Sequence, residues 1–453
     1  MSRSPGLLLT DMYQLAMLEA YHAEGMKDEA VFEFFVRELP QGYGFMVAAG
    51  LEQVIELLDD ARFTSKELDW LAQSGRFGQD FVASLRDFRF TGSVHAMPEG
   101  TAFFADEPVL RVTAPIAEAQ LVETRIIGLL QYQSLIATKA ARCVLAAPDK
   151  MLVDFGLRRA HGAEAGLLAA RACWLAGFAG SATVQAEKCF GVPIYGTMAH
   201  SFIEAHDNEI TAFERFARAR PKDLVLLIDT YDTEAAAHKL TDLARRLRED
   251  GIEIQGVRLD SGDLADHAVR VRRILDDGGL TDVTIFASGG LDEHEIQSLL
   301  ASGAPIDGFG IGSRLDTSAN APYLDCAYKL MEYAGQPRRK HSESKATWPG
   351  RKQVFRRFDD DGLMIGDTIG RTDEGTGGEP LLVSVIEQGQ LVTPQPSLAN
   401  SRDYLADQLR RLPDALKSLD AEADYPVSIS DGVKAVARET DAFIKRQAGK
   451  DSG

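Results

Sequence analysis

Polar residues and glycines recur directly after short apolar runs between about residues 150 and 313. In chain order these positions are Asp154-Phe155-Gly156 with Arg158 and Arg159, Thr197 and His200, Asp229-Thr230, Arg258 with Asp260-Ser261-Gly262-Asp263, Ser288-Gly289-Gly290 and Gly310-Ile311-Gly312-Ser313. Glycine turns let backbone N–H groups approach phosphate oxygens, and arginine binds carboxylates and phosphates. The set predicts a site for an anionic, phosphorylated ligand.

One histidine stands out in this set. His200 follows the apolar run 192–195 in the segment GTMAHS, where its neighbours are small. An imidazole with one nitrogen free and the other held by a hydrogen bond is a good nucleophile toward a phosphoryl group. The structural alternative is a core or capping histidine that bonds a backbone carbonyl.

The segment RLDSGD carries a second possible ligand set. Asp260 can accept hydrogen bonds from ribose hydroxyls or bind a hydrated Mg²⁺, whereas Asp263 can instead cap a helix that begins at Leu264. Arg258 lies two residues before Asp260, on the same side of a predicted strand. Because a buried arginine is costly without an anion, we expect it to face a carboxylate or phosphate.

The elements that must position these residues follow a βα rhythm. Predicted strands cover residues 151–156, 192–198, 224–229, 252–260, 283–290 and 306–313. Amphipathic helices lie between them, such as 234–248 and one that begins at Leu264 and stops at Gly278-Gly279. This pattern predicts a parallel sheet or barrel whose strand ends face one cavity.

The flanking segments predict a different architecture. Residues 31–38, 90–115 and the stretches after 330 have turn residues and short runs typical of antiparallel sheets, and 402–448 look helical. The fold class is therefore α/β, with an irregular β/α barrel at 141–330 that carries the active site. A flanking α+β domain is expected to be built from both chain ends, 1–140 and 331–453, with terminal helices.

Composition excludes several classes of protein. The 453 residues are 45% hydrophobic with a net charge of −19, which argues against nucleic-acid binding, and no apolar run reaches bilayer length. The first residues lack a signal-peptide cleavage site, and four scattered cysteines without a CxxC pair predict reduced thiols in the cytoplasm and no zinc site. No Walker-type loop, strand-linked GxGxxG or HExxH occurs.

Seven segments together resemble the nicotinate phosphoribosyltransferase family over nearly the whole chain. They are LTDMYQLAM (9–17), VDFGLRRAHG (153–162), YGTMAHSF (195–202), LIDTYDT (227–233), GVRLDSGDL (256–264), GFGIGSRL (308–315) and RRKHSESKATWPGRKQVFR (338–356). The resemblance implies an irregular barrel of the type II phosphoribosyltransferase kind. It also implies that nicotinate and 5-phosphoribosyl 1-diphosphate give nicotinate mononucleotide and pyrophosphate, coupled to ATP hydrolysis.

The resemblance also implies roles for single residues. His200 matches the histidine that becomes phosphorylated by ATP, with Mg²⁺ held mainly by substrate phosphates. The residues matched to nicotinate are Tyr13, Phe155 and Thr197, with Arg258 facing its carboxylate. Those matched to phosphoribosyl diphosphate are Arg158, Arg159, Asp260, Gly289, Gly290, Gly312 and Ser313, with Lys345 and Lys352 as further candidates for its diphosphate. In related nicotinamide enzymes the tyrosine at the position of Tyr13 comes from the neighbouring subunit, which implies a homodimer with shared sites.

Two departures bear on the substrate. Nicotinamide-using relatives carry an aspartate in the strand that corresponds to residues 180–184, and here that stretch has no acid, which favours nicotinate. Cys326 is the last cysteine, so no C-terminal zinc site is expected. The alternatives are a nicotinamide or quinolinate phosphoribosyltransferase on the same barrel, or a non-catalytic ligand-binding relative.

Overall fold

The computed structural model describes residues 6–340 and 347–450 of the chain. It divides into two compact units. Unit 1 is formed by residues 1–135 and 323–453, and unit 2 by residues 136–322. No helix in the described ranges combines the length and the apolar character needed to cross a bilayer.

The N-terminal segment supplies short helices and mostly antiparallel strands. Its elements are α1 (Met12–Ala23), β1 (Glu29–Glu38), β2 (Met46–Val47), α2 (Leu51–Asp59), α3 (Ser65–Ser74), α4 (Gln79–Ser84), β3 (Ser93–Ala96), β4 (Ala102–Phe103), β5 (Pro108–Pro115), α5 (Ile116–Leu121) and α6 (Glu123–Ala146).

Strands and helices alternate in unit 2. Its elements after α6 are β6 (Met151–Asp154), α7 (Ala163–Leu175), β7 (Gly180–Ser181), α8 (Val184–Phe190), α9 (His200–Glu204), α10 (Glu209–Ala219), β8 (Leu224–Leu227), α11 (Thr233–Glu249), β9 (Ile254–Leu259), α12 (Leu264–Asp277), β10 (Thr284–Ser288), α13 (Glu293–Ala301), β11 (Gly308–Ile311) and α14 (Ser313–Asp316).

The C-terminal segment returns to antiparallel strands and ends in helices. Its elements are β12 (Asp325–Tyr333), β13 (Gln336–Pro337), β14 (Lys352–Phe358), β15 (Met364–Arg371), β16 (Glu379–Pro380), β17 (Val383–Glu387), β18 (Gln390–Leu391), α15 (Leu398–Arg411), α16 (Asp414–Lys417), β19 (Val427–Ile429) and α17 (Asp431–Lys450). The predicted helical stretch 402–448 is thus interrupted by β19.

Unit 1 contains a seven-stranded sheet in the order β13-β12-β1-β5-β3-β17-β18. Its central strand β1 pairs antiparallel with β5 on one side and with β12 on the other, so the two chain segments meet along it. Every residue from Ala30 to Val36 is buried, and all of them are apolar except Glu33. The strand predicted at 31–38 is confirmed, and a second sheet has the order β16-β14-β15-β19.

Unit 2 contains an open parallel sheet of six strands in the order β7-β6-β11-β10-β9-β8. Asp232, Asp263 and Asp292 cap the helices that follow β8, β9 and β10, each accepting a hydrogen bond from a first-turn N–H. Helix α12 ends before Gly278, and Gly279 has a φ of +72°, as its sequence predicts. The α/β class with a barrel-type parallel sheet is confirmed, as a half-barrel.

One predicted strand is wrong. Residues 192–198 contribute only a single bridge, from Ile194 to Ser181. Pro193 has no N–H to donate to a ladder, and its carbonyl accepts from the Ser181 N–H at 3.0 Å. The strand at this edge of the sheet is the two-residue β7, which the sequence analysis did not identify.

Candidate active site

The carboxyl ends of β6, β11, β10 and β9 lie side by side because these strands are parallel neighbours. Their register pairs Asp154 with Ile311 and Ser288 with Gly310. In open α/β sheets, ligands bind at this edge of the strands. Of the predicted site residues of unit 2, Phe155, Asp260 and Gly289 directly follow these strands, and Arg258 lies within β9. Thr197 and His200 instead follow the bridge at Ile194.

His200 is the first residue of α9, and 38% of its side chain is exposed. Its Nδ1 lies 3.1 Å from Oγ1 of Thr230, and its Nε2 lies 3.8 Å from Oδ2 of Asp260. The sequence does not identify the partner that orients this ring; in the structure the hydrogen bond is to the Thr230 hydroxyl. The ring is thereby oriented with its Nε2 toward the Asp260 carboxylate.

A carboxylate network joins the ends of β8, β9 and β10. Oδ2 of Asp229 accepts hydrogen bonds from the Asp260 N–H at 2.9 Å and from the Ser261 hydroxyl at 2.6 Å. The Ser288 hydroxyl donates to Oδ1 of Asp260. Oδ1 of Asp229 is buried and has no hydrogen-bond partner among the described residues. The network fixes Asp260 and leaves a buried carboxylate oxygen to accept a ligand proton or to bind a cation.

The Gly289 backbone packs against Asp260 of this network. Its φ is +102°, and a Cβ placed on it would lie 2.1 Å from the main-chain oxygen of Asp260. Only glycine fits this combination of left-handed backbone and close approach. The turn Gly289-Gly290 is exposed, so its backbone is open to a ligand.

Arg258 lies beside the network with its guanidinium largely removed from water. Its Nη1 donates to Oγ1 of Thr197 at 2.8 Å, and its guanidinium carbon lies 5.9 Å from the centre of the Phe155 ring. Burial lowers the pKa of Arg258, and the charges of Asp260 and Asp229 oppose that effect. Its Nε is buried without a hydrogen-bond partner in the described part of the chain. This donor is aimed at no protein acceptor, which suits an anionic ligand.

The ends of β6 and β11 are held together by the backbone. The Phe155 N–H donates to the Ile311 carbonyl at 2.7 Å, and a Cβ on Gly312 would lie 2.9 Å from the Phe155 oxygen. Ser313 is exposed at the start of α14. Arg158 and Arg159 are exposed on a 3-10 turn directly after Gly156.

Asp263 and Lys352 do not take the ligand-binding roles considered for them. The side chain of Asp263 accepts the Asp266 N–H at 3.1 Å, so Asp263 is the helix cap that was its structural alternative. The prediction that Lys352 faces a diphosphate is wrong, because its buried ammonium donates to the carbonyls of Trp348 and Gly350 and pairs with Glu33 at 2.7 Å. Its charge is thereby paired within the protein.

Tyr13 belongs to unit 1 and lies on α1. Its side chain is exposed, as are those of Leu9 and Met12 close to it in the chain. Lys345, the other lysine considered for the diphosphate, lies outside the described residues.

Unit 1 also contains a basic cavity that the sequence analysis did not identify. Its volume is about 310 Å³, and it is lined by Arg37, Cys326, Lys329, Lys340 and Thr347. Arg37 pairs with Asp325 at 2.7 Å. Three cationic side chains around one cavity suit an anion. The sequence does not reveal this cavity because they come from β1, β12 and the segment after β13 and form no local motif.

Comparisons with known proteins match one family over most of the chain. The model of the nicotinate phosphoribosyltransferase family matches residues 151–345, and those of its N-terminal and C-terminal domains match residues 8–131 and 375–436. A nicotinate phosphoribosyltransferase of Mycobacterium tuberculosis is 46% identical over 430 residues, which cover 94% of this chain and 92% of that protein.

More distant relatives match over similar lengths. A nicotinate phosphoribosyltransferase of Bacillus subtilis is 37% identical over 457 residues, covering 94% of this chain and 93% of the relative. The crystal structure of human nicotinic acid phosphoribosyltransferase superposes with a TM-score of 0.85 at 30% identity, covering 95% of this chain and 99% of the human chain.

Proposed function

The chain belongs to the nicotinate phosphoribosyltransferase family, and we propose that it joins nicotinate to 5-phosphoribosyl 1-diphosphate in NAD salvage. The pyridine nitrogen forms a bond to C1 of the ribose as the bond from C1 to the diphosphate oxygen breaks, which releases pyrophosphate and nicotinate mononucleotide. The observation that carries this proposal is Arg258, a largely buried guanidinium that offers an unused donor beside an aromatic ring and a hydroxyl.

The nicotinate subsite is assigned to these three side chains. Arg258 pairs with the nicotinate carboxylate, Phe155 stacks on the pyridine ring, and Thr197 orients the arginine. The stretch after β7 supports an acid rather than an amide substrate, because Ala182 is exposed there and no acidic residue occurs in 180–184. A carboxylate at that place would repel nicotinate.

The phosphoribosyl diphosphate subsite is assigned to the neighbouring strand ends. Asp260, held by the Ser288 hydroxyl and the Asp229 carboxylate, accepts hydrogen bonds from the ribose hydroxyls. The backbone of the exposed Gly289, Gly290 and Ser313 and of the half-buried Gly312 surrounds the 5′-phosphate, and the exposed Arg158 and Arg159 face the diphosphate.

ATP hydrolysis is coupled to this transfer through His200. Nδ1 carries the ring proton and donates it to Thr230, so the free Nε2 attacks the γ-phosphorus while the bond to the bridging oxygen breaks and ADP leaves. The phosphorylated ring, placed beside Asp260, favours binding of phosphoribosyl diphosphate, and the phosphoryl group is later lost to water. ATP therefore drives the transfer without entering the product.

A magnesium ion fits the carboxylates of this site. Asp229 retains a buried carboxylate oxygen without a described partner, and Asp260 lies next to it. Since the described residues hold no cluster of three or more metal-ligating side chains, most ligands would be substrate phosphates and water. The ion would neutralise polyphosphate charge, while the protein groups bind and orient the substrates.

A homodimer with shared sites completes the proposal. The exposed Tyr13, with its apolar neighbours Leu9 and Met12, is suited to contact a second copy of the chain. Tyr13 would then contact nicotinate bound to the partner subunit.

The basic cavity of unit 1 would accept phosphate groups.

The test is pyrophosphate release from phosphoribosyl diphosphate with nicotinate, nicotinamide or quinolinate, each with and without ATP. We expect nicotinate alone to support fast release and ATP to stimulate it. Preference for either other pyridine would move the chain to that activity, and ligand binding without pyrophosphate release would make it a non-catalytic relative.

Coupling through His200 is tested with γ-labelled ATP. Acid-labile, base-stable label is expected on the wild-type protein and on His206→Ala, a control histidine whose Nδ1 lies 2.7 Å from the Phe202 carbonyl. His200→Ala should lose both the label and the ATPase activity. Full labelling of His200→Ala would remove this histidine from the mechanism.

A further inference from the structure

A buried polar triangle lies next to Tyr13 in unit 1. It consists of Gln14 on α1, Gln120 on α5 and Glu123, the first residue of α6, and each is at most 7% exposed. Nε2 of Gln14 donates to Oε2 of Glu123 at 2.9 Å. Nε2 of Gln120 donates to the same oxygen at 2.7 Å and to Oε1 of Gln14 at 2.7 Å. One carboxylate oxygen thus joins three helices, and the triangle has no role in the proposed reaction.

The start of α1 is held from α6 rather than by its own cap. Asp11 occupies the N-cap position, where an aspartate ordinarily accepts an N–H of the first helical turn. Among the described residues its side chain makes no such bond and instead accepts the Thr124 hydroxyl at 2.8 Å. Because Glu123 and Thr124 are consecutive, the first turn of α6 holds the first turn of α1 at two points, Asp11 and Gln14.

Tyr13 lies between these two anchored residues. Successive side chains on a helix point about 100° apart, so a buried Gln14 places Tyr13 on a different face of α1. Gln14 is fully buried, whereas 48% of Tyr13 is exposed. The direction in which Tyr13 leaves unit 1 is therefore set by the contacts of Asp11 and Gln14 with α6.

The second oxygen of Glu123 faces the basic cavity of unit 1. Its Oε1 lies 3.9 Å from Nζ of Lys329, a lining residue of that cavity whose side chain is 45% exposed. An exposed ion pair at this distance is screened by water and contributes little, whereas hydrogen bonds from buried amides to a charged oxygen are strong. Glu123 therefore acts mainly on α1 and only weakly on the cavity.

We propose that Glu123 is a positioning residue for nicotinate binding, which fixes Gln14 so that α1 presents Tyr13 to nicotinate in the partner subunit. Thr124 supports the same turn through Asp11, and neither α6 residue touches substrate. The inference rests on the proposed function, because it takes Tyr13 as a nicotinate contact in a shared site. It follows that Glu123 acts from the same subunit as Tyr13, on the site that holds the other subunit's catalytic histidine.

Two substitutions of Glu123 separate positioning from packing. Glu123→Leu leaves the amides of Gln14 and Gln120 without their acceptor, so the Michaelis constant for nicotinate should rise about tenfold or more, with smaller changes in kcat and in the constant for phosphoribosyl diphosphate. Glu123→Gln keeps an oxygen that can accept both amides, and it should stay within about threefold of wild type. Gln14→Leu should reproduce the rise, and it replaces Glu123→Leu if that variant does not fold.

The matched control is Glu374→Leu. Glu374 also belongs to unit 1, and its carboxylate accepts the Arg371 N–H at 2.7 Å, the Ser430 hydroxyl at 2.7 Å and the Gly432 N–H at 3.2 Å. Its loss should lower the unfolding temperature without changing either Michaelis constant. Unchanged nicotinate saturation in Glu123→Leu, or an equal rise in Glu374→Leu, would overturn the positioning role.

Subunit mixing tests which site Glu123 acts on. At nicotinate concentrations below the raised Michaelis constant, Glu123→Leu mixed with His200→Ala should recover up to about a quarter of wild-type sites, as Tyr13→Ala should in the same mixture. Glu123→Leu mixed with Tyr13→Ala should recover none, because no site then receives a correctly presented Tyr13. Recovery in this second mixture would overturn the proposal.

A measurement without substrate distinguishes failure of this inference from failure of the proposed function. Amide hydrogen exchange in residues 9–17 should be faster in Glu123→Leu than in wild type and unchanged in Glu374→Leu. Unchanged exchange in Glu123→Leu would mean that Glu123 does not hold α1, and the inference would fail. Faster exchange together with a normal Michaelis constant for nicotinate in Tyr13→Ala would instead refute the role of Tyr13 in the proposed function.

Discussion

Replacing Arg258 should weaken nicotinate binding far more than binding of any other substrate. In the free protein its Nη1 is fixed by Thr197 at 2.8 Å, and its buried Nε has no partner among the described residues. The guanidinium is therefore already oriented and largely desolvated before nicotinate arrives. Because the entropy of orienting the guanidinium and its desolvation are already paid when the protein folds, nearly all of the free energy of pairing with the carboxylate contributes to nicotinate binding.

The magnitude follows from the bonds that would be lost. A bidentate pair with the carboxylate comprises two charge-assisted hydrogen bonds of about 1.5–3 kcal/mol each. Arg258→Ala should then cost about 3–5 kcal/mol, which corresponds to about a 100- to 5,000-fold rise in the Michaelis constant for nicotinate. Arg258→Lys keeps the charge but not the fork, and about a 10- to 100-fold rise is expected. Thr197→Val removes only the orienting bond, at about 1 kcal/mol or fivefold.

The assay is initial-rate kinetics with each substrate varied, with nicotinate binding measured by titration calorimetry because a Michaelis constant is not always a dissociation constant. The control is Arg270→Ala, which removes an exposed arginine that pairs with Asp266 on α12. It should change neither constant. If Arg258→Ala left nicotinate saturation unchanged, or raised the constants for nicotinate and ATP equally, Arg258 would not be the carboxylate partner.

Three further outcomes are expected. Gly289→Ala should destabilise the fold by about 1–3 kcal/mol and raise the Michaelis constant for phosphoribosyl diphosphate, because its φ is +102° and the Asp260 oxygen lies 2.1 Å from the added carbon; unchanged melting would contradict the strain. Mixed Tyr13→Ala and His200→Ala subunits should recover up to about a quarter of wild-type sites in exchanging dimers, whereas no recovery would argue for sites built by one chain. Burial lowers the pKa of His95 from 6.5 to about 4, so the folded state binds fewer protons than the unfolded state and the unfolding free energy decreases as pH is lowered from about 6.5 to about 4; His95→Gln should flatten this decrease in a thermal melt series, and an unaltered pH profile would exclude His95 as its source.

Much of the site could be predicted because several of its polar residues and glycines come directly after predicted strands in the sequence. Asp260 and the Gly289-Gly290 turn stand immediately after apolar runs that do form β9 and β10. Parallel pairing then brings such positions together without further information. The strand predicted at 192–198 failed because Pro193 interrupts its ladder.

Other contacts depend on pairings that local sequence does not encode. Thr230 follows an aspartate in an ordinary turn, and only the path of α9 brings it to His200. Lys352 lies in a basic segment that suggested a phosphate ligand, but its partner Glu33 comes from the other end of the chain.

The position of β1 between β5 and β12 has a consequence for the chain as it leaves the ribosome. Roughly 290 residues separate Glu38 from Asp325, which corresponds to about 15–60 s of translation. Residues 136–322 emerge completely within that interval and can collapse as a unit while β1 still lacks its second neighbour. The nascent polypeptide therefore carries an open strand edge bearing Phe32, Phe34 and Phe35 until the C-terminal segment arrives. That interval is when a ribosome-associated chaperone has most to protect, and slowing elongation would lengthen the exposure.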